Sequence, residues 1–304
     1  MGKDVEWKSF FQDNHRYADI INGIGCGGVQ LVKDTDLAEV DSTVKKKSRD
    51  ALRKVALGMN FLIVGIENQE KMDYEYPLRN MQYDVEQYQK QAQEIRKEVR
   101  SNSAGLESGE YLYGFKKDSK LNPLVTFVLY AGKKEWDGPT CLHEMLNFSN
   151  VPDELKAMVS DYKVNVIDIR QFENTGVFKT DVKQVFDFIR CSEDMDKLLD
   201  LVENDVYYQE MDEVAFDLIT RYTNSKELVK AKEYSKEEGK RNMCKAIRDL
   251  MDDSREKGRE EGREEGIRAL VKTLKEFHVL DNDIIVRIKK DFSLTEEVAK
   301  GYLS

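Results

Sequence analysis

The chain has 304 residues, of which 40% are hydrophobic and 35% charged, and its formal net charge is -10. This length is enough to bury a sizeable core, and the composition excludes a wholly disordered protein. The acidic excess lies entirely before Ser225 and argues against a basic protein that coats DNA. Contact with nucleic acid would need a local patch, or metal ions that neutralise carboxylates.

Membrane and export signals are not apparent in the sequence. There is no run of about 18 apolar residues, and the first residues do not have the pattern of a secretory signal. The four cysteines lie at least 50 residues apart, which is not the spacing of a metal or redox pair. These features predict a cytoplasmic protein that does not contact a membrane.

The beginning of the chain predicts a helix and then a turn. Apolar residues recur at helical spacing over residues 5–23. The glycines that follow, Gly23, Gly25 and Gly28, formally match the dinucleotide-binding pattern G-x-G-x-x-G. That pattern requires a strand before the glycines and a helix after them, whereas here the helix comes first, so we favour a flexible turn.

The middle of the chain predicts alternating strands and helices. The apolar run Phe61 to Ile66 predicts a buried strand, and residues 49–57 predict its hairpin partner, with the turn near Gly58. From Pro77 to about Arg100 the chain lacks glycine and proline, which predicts a long helix. Two further strands are predicted: 124–130 and 164–169. The expected class is therefore α/β.

The last third of the chain predicts helices. Residues 181–222 carry apolar side chains at helical spacing. A tandem repeat places Gly258, Gly262 and Gly266 inside a run of mixed charge. Each glycine costs about 1 kcal/mol against alanine in a helix, so this run predicts either a weakened charged helix or a linker.

The polar residues Glu67, Asn68 and Gln69 end the strand predicted in the middle of the chain. Residues i and i+2 of a strand share a face, so Glu67 and Gln69 would project together. A carboxylate in this position suits a hard cation such as Mg²⁺, which needs a second carboxylate nearby. Asp50 is the best candidate because it begins the partner strand. The alternative for both acids is an ion pair with a nearby base: Arg49, Arg53 or Lys54.

One segment of the chain comprises Asp50, a hairpin-like interval, Glu67-Asn68-Gln69 and the following helix. This segment resembles the PD-(D/E)XK nuclease superfamily. More specifically, the chain resembles the Rpn-type recombination-promoting nuclease/putative transposase family of bacteria. Other matching blocks are Tyr17-Ala18-Asp19-Ile20-Ile21-Asn22, Pro77-Leu78-Arg79-Asn80-Met81 with Tyr83-Asp84, Trp136-Asp137-Gly138-Pro139, Leu142-His143-Glu144-Met145-Leu146 and the glycine repeat. The resemblance covers most of the chain.

The resemblance implies a restriction-endonuclease-like α/β core, with a central mixed sheet flanked by helices and a helical C-terminal extension. We expect this core over residues 5–172 and a helical extension over 173–224. A charged helical connector would follow over 225–266, and a small helical unit over 267–304. Oligomerisation through the charged helix would raise the local concentration of sites, since an acidic domain would bind DNA weakly alone.

The implied activity is metal-dependent hydrolysis of DNA, linked to recombination or a mobile element. Asp50, Glu67 and the carbonyl of Asn68 would hold Mg²⁺ or Mn²⁺. Gln69 would be a catalytic residue that orients the attacking water, in the position where the superfamily usually has lysine. An amide adds no positive charge, so the alternative is a lapsed nuclease fold that binds DNA or protein without cutting.

Two further sets of residues follow from the resemblance. Asp19 resembles an accessory acid near the metal, and its alternative is a solvated helix acid. Arg79, Tyr83 and Gln87 are the expected DNA-binding residues, because they recur every four residues along the helix after the motif, as does Gln91. The stripe could instead position Gln69, and an ordinary exposed helix face explains it about as well, except that Tyr83 and Tyr88 could be core residues.

Overall fold

A computed structural model of the chain describes residues 3–40, 43–44, 47–48, 51–57, 60–102, 104–222 and 239–303. Contacts divide the chain into two compact units, Met1–Met243 and Cys244–Ser304. Asp50 and Arg49 lie outside the described residues, as does the first part of the expected charged connector up to residue 238. The domain limits expected from the sequence stay predictions.

The first unit is built on a five-stranded mixed sheet. The strands of this sheet and of two small two-stranded sheets are β1 (Leu37–Glu39), β2 (Thr43–Val44), β3 (Lys47–Ser48), β4 (Ala51–Leu57), β5 (Asn60–Gln69), β6 (Leu124–Tyr130), β7 (Asn165–Asp168), β8 (Met211–Asp212) and β9 (Lys240–Arg241). The sheet order is β1-β4-β5-β6-β7. β1, β4 and β5 are antiparallel, whereas β5, β6 and β7 are parallel.

The helices of the first unit cover the sheet and extend it at the C-terminal side. They are α1 (Lys3–Phe10), α2 (Asn14–Ile20), α3 (Tyr76–Ser101), α4 (Ser108–Tyr113), α5 (Asp153–Lys156), α6 (Val182–Cys191), α7 (Met195–Asn204) and α8 (Glu213–Thr220). The helix α3 carries the chain from β5 across to the parallel strand β6. The predicted α/β class, with a mixed sheet flanked by helices and a helical C-terminal region, is confirmed.

The strand predicted from its apolar run continues to Gln69, so the polar motif is part of β5 rather than a loop beyond it. The predicted hairpin is confirmed: Leu57 pairs with Asn60 at the turn, and Ala51 pairs with Ile66 at the other end. The long helix predicted after Pro77 is also confirmed, since proline suits the first turn of a helix.

The single opening helix predicted from the sequence is two helices in the structure. Asp13 accepts a hydrogen bond from the backbone N–H of His15 at 2.8 Å and so caps the start of α2. The chain continues from α2 into a π-helical turn, Ile21–Gly25, which contains two of the glycines predicted to lie in the loop, and the turn of the chain comes after it. Gly27 and Gly28 have φ angles of 61° and 90°, which favour glycine and support the turn interpretation.

Aromatic residues of α1 and α2 form a large part of the core. Trp7 and Phe11 stack with ring centroids 5.3 Å apart, and Phe10 and Tyr17 pack edge-on against Phe11. All four side chains are buried. Burial of each contributes roughly 1.5–3 kcal/mol, so this cluster holds the two helices firmly in place.

A buried ionic cluster joins α2 to the helical C-terminal part of the first unit. The guanidinium of Arg16 donates to the carboxylates of Asp181 and Asp212 at 2.6 and 2.8 Å. The hydroxyl of Tyr207 donates to Asp181 at 2.6 Å. Burial and the neighbouring Asp181 charge raise the pKa of Tyr207, so its hydroxyl stays protonated as a donor.

The second unit is helical. It comprises most of α9 (Met243–Glu276), followed by α10 (Asp281–Phe292) and α11 (Glu296–Gly301). Its core consists of Ile267, Val271, Ile284, Ile288 and Ala299. The glycine repeat lies within α9, so the charged run is a helix here and not a linker. Among the described helices, none is long and apolar enough to cross a membrane.

Candidate active site

The two predicted acidic positions flank the last described pair of the β4–β5 ladder in sequence. Ala51 pairs with Ile66, the last described pair of this antiparallel ladder. Asp50 directly precedes Ala51, and Glu67 directly follows Ile66. In β5 the backbone of Glu67 also pairs with Val128 of the parallel strand β6. The roles of Asp50 and Glu67 stay predictions, because Asp50 lies outside the described residues.

Asn68 turns its side chain toward the N-terminal aromatic cluster. The residue is 9% exposed, and its side-chain oxygen accepts a hydrogen bond from the hydroxyl of Tyr222 at 3.4 Å. The indole of Trp7 donates to the same hydroxyl at 2.6 Å. The amide of Asn68 is therefore held in the core, and only its backbone carbonyl suits the predicted metal role.

Gln69 contacts Arg79, the first residue of the stripe that could position it. The side-chain oxygen of Gln69 accepts a hydrogen bond from the Arg79 guanidinium at 3.0 Å, and its amide nitrogen donates to the carbonyl of Lys71 at 2.6 Å. Arg79 also forms an ion pair with Asp73 and lies 4.6 Å above the centre of the Tyr76 ring. A cationic group is thus fixed at the end of β5.

The neighbouring strand end adds a neutral hydroxyl. Tyr130 pairs with Gln69 across the β5–β6 ladder and packs edge-on against Trp136. Burial, followed by the negative charge of Asp168, raises the pKa of Tyr130. This phenol therefore stays protonated at neutral pH and adds no negative charge beside Gln69.

The helix α3 has a polar inner face that the sequence did not reveal. The Asn80 amide donates to the hydroxyl of Tyr162 at 2.6 Å, and this hydroxyl donates to the carboxylate of Asp84 at 2.5 Å. Asn80 and Asp84 are both buried. Their four-residue spacing on α3 was a visible signal, but the partner Tyr162 lies 78 residues beyond Asp84 and could not be identified from local pattern.

The side chains of the predicted DNA-binding stripe lie in different environments. Tyr83 is half-buried, whereas Gln87 is 3% exposed, so an ordinary exposed helix face is the wrong explanation for Gln87. Gln91 exchanges two hydrogen bonds with the backbone of Asn122, at 2.7 and 3.3 Å, and so fixes the chain before β6. The DNA contacts of Arg79, Tyr83 and Gln87 stay predictions.

Asp19 is a buried anchor. It is 3% exposed, and its carboxylate accepts hydrogen bonds from the backbone N–H groups of Lys179 and Thr180 and from the Thr180 hydroxyl, at 2.7–2.9 Å. The alternative of a solvated helix acid is therefore wrong. These bonds use most of the acceptor capacity of a carboxylate, and the accessory metal role stays a prediction.

The described residues do not contain a group of three or more His, Cys, Asp or Glu side chains able to hold a metal. This absence does not apply to the predicted pair of Asp50 and Glu67, because Asp50 lies outside the described residues. Two carboxylates and a carbonyl oxygen form a donor set that suits Mg²⁺ or Mn²⁺. Whether the chain holds such a set at the end of the β4–β5 ladder stays a prediction.

A family match covers this part of the chain. Residues 30–213 match the model of the family described as putative transposase, YhgA-like. Because the match spans more than half of the 304 residues, the chain belongs to this putative transposase family. It includes the whole sheet and α3. No curated protein and no solved structure gives a significant match to the chain.

Proposed function

We propose that the protein is a metal-dependent DNA endonuclease with a PD-(D/E)XK, restriction-endonuclease-like core, of the Rpn type, and that it acts in recombination or on a mobile element. The observation that carries the proposal is the β4–β5 register, in which Ala51 pairs with Ile66. Asp50 directly precedes Ala51 in the sequence and Glu67 directly follows Ile66. Membership of a putative transposase family supports DNA as the partner.

In this proposal Asp50, Glu67 and the backbone carbonyl of Asn68 hold Mg²⁺ or Mn²⁺. When bound, the metal polarises the scissile phosphate and lowers the pKa of a bound water. Gln69 orients the water through its amide, and Arg79 holds that amide in position. Arg79 also offers the positive charge that a lysine at position 69 would supply.

The second candidate is a lapsed nuclease fold that binds DNA or protein without cutting. It is favoured by the side chain of Gln69, whose nitrogen and oxygen are both engaged by neighbours, Lys71 and Arg79. Titration with Mg²⁺ or Mn²⁺ separates the two candidates. A working site stabilises the folded protein as metal is added, whereas a lapsed site leaves the melting temperature unchanged.

The activity is tested with the purified full-length chain on supercoiled plasmid. We expect nicking that requires Mg²⁺ or Mn²⁺ and stops when EDTA is added. Asp118→Ala, which removes an exposed acid in the loop after α4, serves as a control and should cut at the wild-type rate. Nicking that continues in EDTA would refute the metal-dependent mechanism.

We further propose that the protein works in the cytoplasm as a homo-oligomer. All four cysteines are free, which suits a reducing compartment. Within α9, residues 252–266 are exposed and carry alternating charges. A second copy could satisfy these charges, and pairing would place two weakly binding sites on one DNA.

A further inference from the structure

A polar cleft of about 430 Å³ lies between α3 and the strands at the edge of the sheet. From α3 it is lined by Gln87, Lys90, Gln91, Gln93, Glu94 and Lys97. The opposite side is formed by Glu39 and Val40 at the edge strand and by Lys54 of β4, with Asn122 at one end. This volume is in the range of pockets that hold a small organic group such as a nucleotide.

The side chain of Gln87 lines this cleft and has no partner within the described part of the chain. The residue is 3% exposed, yet none of the described residues forms a hydrogen bond with its amide. Its amide atoms are not among the fully buried polar atoms without a partner, so they open onto the cleft and are available to a ligand there. An amide offers one acceptor and two donor hydrogens, which match the edge of a nucleobase.

The charge of the cleft suits a phosphate chain. Three lysines line it, Lys54, Lys90 and Lys97, against two glutamates. One of these, Glu39, is neutralised by the Arg53 guanidinium at 3.2 Å. The exposed ammonium of Lys97 forms no ion pair with any described residue. Within the described part of the chain, Lys97 therefore offers a positive charge to a phosphate at this cleft.

The cleft lies along the same helix as the candidate active site. Arg79 contacts Gln69 at the end of β5, and Gln87 is eight residues further along α3. At 1.5 Å per residue, this separation is about 12 Å along the helix axis. A DNA strand that leaves the predicted site along α3 would reach the cleft after about three or four nucleotides.

We infer that this cleft holds one unpaired nucleotide of the DNA substrate, with Gln87 on the base edge and Lys97 on an adjacent phosphate. The base must be unpaired, because a base inside a duplex cannot enter a cleft walled by a helix and a sheet edge. The preferred substrate is then DNA with a single-stranded segment beside the cut. This inference rests on the proposed nuclease function.

The test measures binding without cleavage. Fluorescence anisotropy of the full-length protein with a labelled 12-nucleotide single strand and with the blunt duplex of the same sequence, both in EDTA, separates binding from the proposed chemistry. We expect the single strand to bind at least tenfold more tightly than the duplex. Equal or tighter binding of the duplex would overturn the inference. A free deoxynucleoside monophosphate should compete with the labelled strand only at a concentration far above that of an unlabelled single strand. Competition at the same concentration as the unlabelled strand would also overturn the inference.

Three variants locate the binding. Gln87→Leu, which has nearly the same volume, should weaken single-strand binding about tenfold, and its melting temperature should stay equal or rise, since the unpartnered amide is gone. Lys97→Gln should weaken binding several-fold and reduce its salt dependence. Lys272→Gln, an exposed lysine of α9, is the matched control and should bind as wild type.

The outcomes distinguish this inference from the proposed function. If the wild-type protein cuts DNA with Mg²⁺ but Gln87→Leu and Lys97→Gln bind the single strand normally, the cleft assignment falls and the nuclease stands. A lower melting temperature for Gln87→Leu would show a structural role and overturn the assignment. Equal losses in Lys97→Gln and Lys272→Gln would show general charge attraction and overturn it as well.

Discussion

At the scale of single residues, the contact between Gln69 and Arg79 bears most directly on the proposed chemistry. A metal-dependent nuclease gains from a positive charge beside the phosphate, because negative charge builds up there during hydrolysis. Gln69 cannot supply it, but the guanidinium bonded to its side chain can. Arg79 is also restrained by Asp73 and by the Tyr76 ring. Its side chain therefore loses little conformational entropy when DNA binds.

The predicted consequence is a loss of rate that lysine can rescue. Arg79→Ala should lower the single-turnover rate of DNA cleavage by about 100-fold, the size of effect seen when one preorganised donor is removed. Adding Gln69→Lys to this variant should raise the cleavage rate at least tenfold again, because lysine returns a cation to the end of β5. Arg96→Ala, which removes another arginine of α3, should cut normally. An Arg79→Ala variant as fast as wild type would exclude the role assigned to Arg79.

At the scale of elements, Asp19 joins α2 to the chain that enters α6. Its carboxylate takes four hydrogen bonds from Lys179 and Thr180, 160 residues away in sequence. Together with the Arg16 cluster, these bonds fix the helical C-terminal part of the first unit against the N-terminal helices. Both contacts are buried, so their loss is expected to be costly.

Asp19→Asn tests this anchor. The variant replaces a charged acceptor by a neutral amide that must also place two donor hydrogens, and it should lower the free energy of unfolding by about 2 kcal/mol. Urea unfolding followed by circular dichroism measures the change, with Asp118→Asn as an exposed control. We expect the folded variant still to cut DNA. Unchanged stability would show that the anchor is not important.

Much of this element structure could be predicted from the sequence. The β4–β5 hairpin and α3 have clear local signals, an apolar strand with a turn and a helix that opens at Pro77. The inner face of α3 could not be predicted, because Asp84 and Asn80 are satisfied by Tyr162 from a distant loop. Residue pattern shows that a position is polar, but only tertiary contacts show that it is buried.

The same limit applies to the candidate site. The sequence left two roles open for the stripe that begins at Arg79, DNA contact or positioning of Gln69. The contact between Arg79 and Gln69 depends on the direction in which α3 leaves the sheet, which local pattern does not show. The sequence grouped Gln91 with Gln87 by spacing, although one is bonded to Asn122 and the other lines a cleft. The break at Asp13 was missed, because a cap interrupts a helix without disturbing its apolar periodicity.

At the scale of the whole molecule, the proposed function requires an acidic chain to bind acidic DNA. The net charge of -10 opposes association, so binding has to come from local positive groups, from metal, or from several sites acting together. The charged segment of α9, residues 252–266, offers the third route, since it is exposed and a second copy of the chain could pair with it.

Association through this segment is measurable by sedimentation velocity. We expect a dimer or larger species at micromolar concentration in low salt, weakened by high salt because the contact is ionic. Reversing two charges, Arg259→Glu with Arg263→Glu, should shift the protein toward monomer. A wild-type monomer at high micromolar concentration would refute the association.

The most direct test of the central claim compares plasmid nicking by the wild type, Asp50→Ala and Glu67→Ala, with Mg²⁺ or Mn²⁺ and with EDTA. Circular dichroism and the melting temperature first establish that both variants are folded. If the two carboxylates share the catalytic metal, nicking requires metal and disappears in both variants, while Asp118→Ala retains it. Metal-dependent nicking that survives either substitution would contradict the site assigned to the end of β4 and β5.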